Sequence, residues 1–152
     1  MARHPARHPA HSWCTTTSEE DERPYIVMEL DRGPARSARP DPPSAARSDP
    51  REAALALLDT VPAVVVTLGA AGSLYAAHGT EPVTVPAPRV TAVDSTGAGD
   101  TFVGALAVAL GEDRPLREAL AWAAAAAALS VQRPGASASM PYRSEIEKRY
   151  TS

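Results

Sequence analysis

Nine consecutive residues, Asp94-Ser95-Thr96-Gly97-Ala98-Gly99-Asp100-Thr101-Phe102, carry the one spacing in this chain that asks for chemistry rather than packing. Two glycines flank an alanine immediately before an apolar run of helical period, Phe102, Ala105, Leu106, Ala109 and Leu110. This spacing predicts a helix whose first-turn amides lie open to an anion, with no Cβ atoms in the way. Asp100 falls inside that turn, where the helix dipole attracts a negative charge. The result is a base beside a cradle for a phosphate or an oxyanion. Alone, Asp100 would read as an ordinary first-turn acid; with Gly97 and Gly99 in register, the catalytic reading is the better one. Other glycine signatures fail on spacing. Phe102 stands where a dinucleotide fingerprint needs glycine, and no Gly-Lys-Ser/Thr occurs to make a phosphate-binding Walker loop.

The elements that must hold this turn are legible on both sides of it. Asp49-Pro50-Arg51-Glu52 supplies a helix cap, a first-turn proline and an acid, and the helix should end near Thr60-Val61-Pro62. Ala63-Val64-Val65-Val66-Thr67-Leu68 is a β-branched run with the pattern of a strand buried on both faces. Gly69-Ala70-Ala71-Gly72 turns the chain into a second strand, Ser73 to Ala77, and Thr80 to Val85 reads as a third. Two long helices follow, about Gly99 to Leu110 and Leu116 to Val131. Pro115 opens the second, Pro134-Gly135 closes it, and Pro141 precedes a short terminal helix at Ser144 to Lys148. Helix, strand, turn, strand and helices make an α/β layer structure.

Residues 1–48 read as a disordered, low-complexity segment and 49–152 as the ordered domain. Ala-Arg-His-Pro is repeated at the start, and the stretch from Pro34 to Pro50 contains five prolines. His4, His8, His11 and Cys14 could be written as a metal cluster, but a proline-rich tract without a scaffold favours plain low complexity. Arg23 to Leu30 is the one strand-like piece upstream. It resembles the hinge strand of eukaryotic-type protein kinases, but no His-Arg-Asp or Asp-Phe-Gly accompanies it, so it reads as an isolated edge strand or a chance match. A net charge of −3 without a basic stripe argues against a nucleic-acid partner. The single cysteine excludes an internal disulfide, and no apolar stretch reaches a membrane span or a secretory signal, so no membrane is expected and the cytoplasm is the default.

The order of these pieces resembles the C-terminal part of the ribokinase-like carbohydrate kinases, the PfkB family, over about residues 51–150. Val66-Thr67-Leu68-Gly69 with Gly72, the Asp94 to Phe102 stretch with Gly104-Ala105-Leu106, and Val131 to Ala136 with Ser139 carry the likeness. The resemblance implies the C-terminal portion of a three-layer α/β/α fold and ATP-dependent phosphoryl transfer to a sugar hydroxyl. Asp100 would then be the catalytic base, and Gly97, Ala98 and Gly99 the anion hole. Thr67, Leu68, Gly69, Gly72 and Gly99 would bind the nucleotide. Asp94, Thr96, Ser130, Arg133, Gly135 and Ser139 would hold a monovalent cation. The cofactors implied are ATP, Mg2+ and K+; the acceptor is ribose or a related small sugar. Ala124 stands where such kinases commonly carry a polar residue near the adenine. An N-terminal half with the acceptor site, central strands and an Asn-x-x-Glu element is not recognisable upstream. The chain is therefore expected to be a truncated or rearranged kinase, or to be completed by a homo-oligomer or a chain carrying that half. The alternative is a non-catalytic nucleotide-binding remnant without a sugar site.

Overall fold

The computed structural model describes residues 13–16, 25–29 and 49–150. Five strands, β1 (Trp13–Thr16), β2 (Tyr25–Glu29), β3 (Ala63–Thr67), β4 (Ser73–Ala77) and β5 (Val83–Val85), form one sheet in the order β1-β2-β3-β4-β5. Only β2 and β3 run parallel; the other three pairings are antiparallel. The sheet is thus mixed. Two pieces of the segment expected to be disordered are strands here, and β2 is an inner strand rather than the isolated edge. Cα pairing with β3 thirty-eight positions away, as in Tyr25 with Ala63, has no local signature in sequence. The rest of residues 1–48, including His4, His8 and His11, lies outside the described residues.

Helix α1 (Pro50–Leu57) begins as its composition predicts. The Asp49 carboxylate caps it by accepting from the Arg51 amide at 2.9 Å, with Pro50 at the first helical position. It stops at Leu57, earlier than expected, and a turn with Thr60 and Val61 amides donating to the Leu57 carbonyl follows. The third strand is likewise shorter, Val83–Val85, because Thr80 closes a turn onto the Ala77 carbonyl.

Every residue of β3 is buried. Its alternation divides the core in two. Val64 and Val66 pack with Ala54, Leu58, Leu74 and Ala76 on the α1 side, whereas Val65 joins Val85 and the helices α2 (Ala98–Gly111), α3 (Leu116–Ser130) and α4 (Arg143–Tyr150) on the other. One helix on one face and three on the opposite face make three layers. Ala119, Ala123 and Ala126 of α3 are fully buried, and such small side chains let α2 and α3 approach closely.

One end of the sheet positions the site. The Cα pairings Glu29 with Thr67, Thr67 with Ser73 and Ser73 with Val85 make a single row across that end. The turn after β3 and the connection leading from Val85 to α2 both leave from this row.

Candidate active site

Gly97 caps α2 in the left-handed conformation, at φ +74° and ψ +7°. The left-handed angle favours glycine, and a Cβ there would lie 3.2 Å from Ala136 Cα, a tight contact that Ala136 would have to relieve by a small shift. The Thr101 amide and hydroxyl both donate to the Gly97 carbonyl at 2.9 Å and fix the first turn. Within the expected anion hole, the Ala98 amide donates to the Ser95 carbonyl at 3.2 Å. The Gly99 and Asp100 amides make no hydrogen bond among the described residues, as the start of a helix leaves them. The Asp100 side chain is exposed beside them. Two free amides, a positive helix end and an adjacent carboxylate can bind an oxyanion and accept a proton next to it.

Asp94 joins this turn to the end of α3. One carboxylate oxygen accepts from the Thr96 amide at 2.9 Å and from the Thr96 hydroxyl at 2.6 Å; the other accepts from the Gly135 amide at 2.8 Å. The Thr96 hydroxyl foremost, then the Gly135 and Thr96 amides, hold the Asp94 carboxyl down at about 2 from an ordinary 3.8, against a small opposing effect of burial. The Val93 and Asp94 amides also donate to the Val131 carbonyl, at 2.7 and 3.1 Å. The structure therefore brings Asp94, Thr96 and Gly135 together, with Gly97 against Ala136.

The remaining residues expected around a cation lie at the last residue of α3, Ser130, and along the connection that follows it. Ser130 and Ser139 are buried, and their hydroxyls donate to the Ala127 and Ala136 carbonyls at 2.9 and 2.7 Å. The Ser130 carbonyl accepts from the Arg133 amide at 3.1 Å, and the Arg133 side chain pairs with Glu145 of α4. That guanidinium, together with the Tyr142 amide at 2.7 Å, lowers the Glu145 carboxyl below its usual range. Sequence reasoning missed Ala136 and Glu145. Both act across turns of chain that no local spacing encodes.

At the end of β3, Thr67 is buried and the Leu68 amide donates to the Gly72 carbonyl at 2.7 Å. Gly69, at φ +58°, has open space where a Cβ would stand. Gly72 differs: its Cβ would fall 2.0 Å from the Val85 carbonyl oxygen, so packing against the exit of β5 accounts for that glycine. Ala124 is buried in the helical core, as is Trp122, which lies under Arg114 at 4.2 Å.

The pattern of the pfkB family carbohydrate kinases matches residues 43–143. The chain belongs to that family. A ribokinase of Schizosaccharomyces pombe is 42% identical over 85 residues, 56% of this chain and 27% of the relative. Among pfkB-type structures, a ribokinase of Thermotoga maritima superposes with a TM-score of 0.64 at 43% identity, covering 66% of this chain and 34% of that one. The Arabidopsis thaliana ribokinase, solved in complex with ribose and ATP, gives 0.58 at 45% identity, covering 59% and 29%. The chain thus spans about a quarter to a third of the length of these relatives. The likeness fits the layered α/β architecture seen here. Among the described residues no group of three His, Cys, Asp or Glu is placed to hold a metal ion, and no helix is long and apolar enough to cross a membrane.

Proposed function

We propose that this chain carries the phosphoryl-transfer machinery of an ATP-dependent carbohydrate kinase, acting on a hydroxyl of ribose or a related small sugar. The observation that carries the reading is the start of α2 at the left-handed cap Gly97, where the Gly99 and Asp100 amides are unpaired beside an exposed Asp100 carboxylate. Phosphoryl transfer asks the protein mainly for positioning and for charge stabilisation, and a helix N-terminus supplies both without reorganisation. In this reading Asp100 takes the proton of the attacking sugar hydroxyl. The amides of Gly97, Ala98, Gly99 and Asp100 face the transferring group in this reading, and that of Ala98 is already engaged by the Ser95 carbonyl. Thr67, Leu68, Gly69 and Gly72 form the nucleotide-facing edge at the end of β3, Gly69 with its open side and Gly72 through the turn geometry it permits.

ATP supplies the phosphoryl group, and Mg2+ enters on its phosphates. Asp94 and Thr96, the backbone carbonyls of Ser130, Arg133 and Gly135, and the Ser139 hydroxyl would offer oxygen ligands, the chemistry of a hard monovalent cation such as K+. Three donors already engage the Asp94 carboxylate, so about one of its four lone-pair sites is left for an ion. Cytoplasmic location, residues 49–152 as the kinase portion and completion of the acceptor site by another copy or chain belong to the same proposal.

The test is ribose-dependent ADP formation by the full chain, alone and with a separately expressed N-terminal half of a related kinase. Asp100→Asn is expected to lower turnover by about 10²–10⁴-fold, the span of general base catalysis, while nucleotide affinity stays. Turnover unaffected by that change removes Asp100 from the mechanism. ATP binding without turnover under either condition assigns a nucleotide-binding module instead.

A further inference from the structure

We propose that the Asp94 carboxylate is a positioning group that ties the loop after α3 to the turn opening α2, and so sets the anion-facing amides with or without a monovalent cation. Its two oxygens serve different segments. One takes both Thr96 donors, within the turn; the other takes the Gly135 amide, from 41 positions further along the chain. Around that link the same two segments meet twice more. The Val131 carbonyl receives the Val93 and Asp94 amides, and the Gly97 backbone lies so close to Ala136 that a Cβ on Gly97 would stand 3.2 Å from the Ala136 Cα. Gly97 is the left-handed cap directly before the unpaired Gly99 and Asp100 amides. Any drift of the loop at 135–136 would therefore be felt at the cap.

The chemistry of the link selects a carboxylate. Gly135 presents a single N–H, and Thr96 presents an N–H and an O–H, so the tie needs acceptors on both of its ends. An asparagine has one acceptor oxygen and can serve Thr96 or Gly135, not both. A cation, by contrast, would need only an oxygen facing it.

The inference rests on the phosphate reading for its consequence and on the apo chain for the tie itself. In the isotopically labelled full chain, a through-hydrogen-bond coupling between the Gly135 nitrogen and the Asp94 side-chain carboxyl carbon is expected, identical in potassium chloride and in tetramethylammonium chloride. Asp94→Asn is expected to accelerate Gly135 amide exchange about tenfold, the scale of one charge-assisted hydrogen bond. It is also expected to reduce severalfold the shifts that inorganic phosphate induces at the Gly99 and Asp100 amides. Thr96→Val, which keeps both backbone donors, should retain the coupling. Absence of the coupling, its appearance only in potassium, or phosphate shifts undiminished in Asp94→Asn overturns the proposal. A coupling that is present while phosphate leaves the Gly99 and Asp100 amides unmoved overturns the phosphate reading and the positioning consequence with it. The coupling needs no substitution, so it decides the tie even if Asp94→Asn does not fold.

Discussion

An alanine at Gly72 would place its Cβ 2.0 Å from the Val85 carbonyl oxygen and 2.7 Å from the Ala87 nitrogen, at a φ of +105°. Neither backbone can yield without breaking the β4–β5 pairing. Gly72→Ala is therefore expected to cost about 3 kcal/mol in urea unfolding, combining overpacking with a strained angle. Gly69→Ala meets open space and bears only its φ of +58°, for about 1 kcal/mol. Equal costs at the two sites would contradict this packing. Asp94 makes a different residue-scale prediction. Its folded carboxyl titrates at about 2 against an ordinary 3.8, so its contribution is complete above about pH 4 and is lost as pH falls toward 2. Glu112, held down chiefly by Arg143, and Glu145, held down chiefly by Arg133, act with the same sign. Urea midpoints measured from pH 5 to pH 2.5 should fall, and Asp94→Asn should flatten the lower part of that fall. The candidate site residues stand out in the sequence by type and spacing; what they touch does not. Nothing near Asp94 in sequence announces Gly135.

Elements proved readable where one physical cause dominates. The β-branched run of β3 and the apolar period of α2 announce themselves, and Asp49-Pro50 marks the start of α1 because capping is local. Element ends were harder. The turn at 77–80 shortens the strand ending at Val85, and the identity of β2 as an inner strand depends on its partner rather than on its own residues. The alanine run of α3 matters through what it lacks in bulk. Ala126 is fully buried in the cluster that holds Phe102, Leu106 and Ala109 of α2. Ala126→Leu is expected to push the two helices apart and cost about 1–3 kcal/mol, read by thermal or urea unfolding. A neutral result would mean that the helices are not in close contact there.

At the scale of the molecule, β3 has both faces covered, by α1 on one side and by α2 and α3 on the other. Its amides are expected to exchange with solvent more slowly than those of the edge strands β1 and β5. Exchange as fast in Val64–Val66 as in Val83–Val85 would rule out the layered arrangement. The α/β layering was legible because elements alternate along the chain, and the mixed strand directions were not, because pairing sense follows from long connections. Far from the anion-facing turn, the guanidinium carbons of Arg114 and Arg143 stand 4.2 and 5.9 Å from the Trp122 ring centre, and Tyr150 meets that ring edge-on at 6.0 Å. That indole is therefore a built-in optical probe: in a chain whose other tryptophan, Trp13, is changed to phenylalanine, its emission would report whether the three helices remain docked, independently of events at the opposite end of α2.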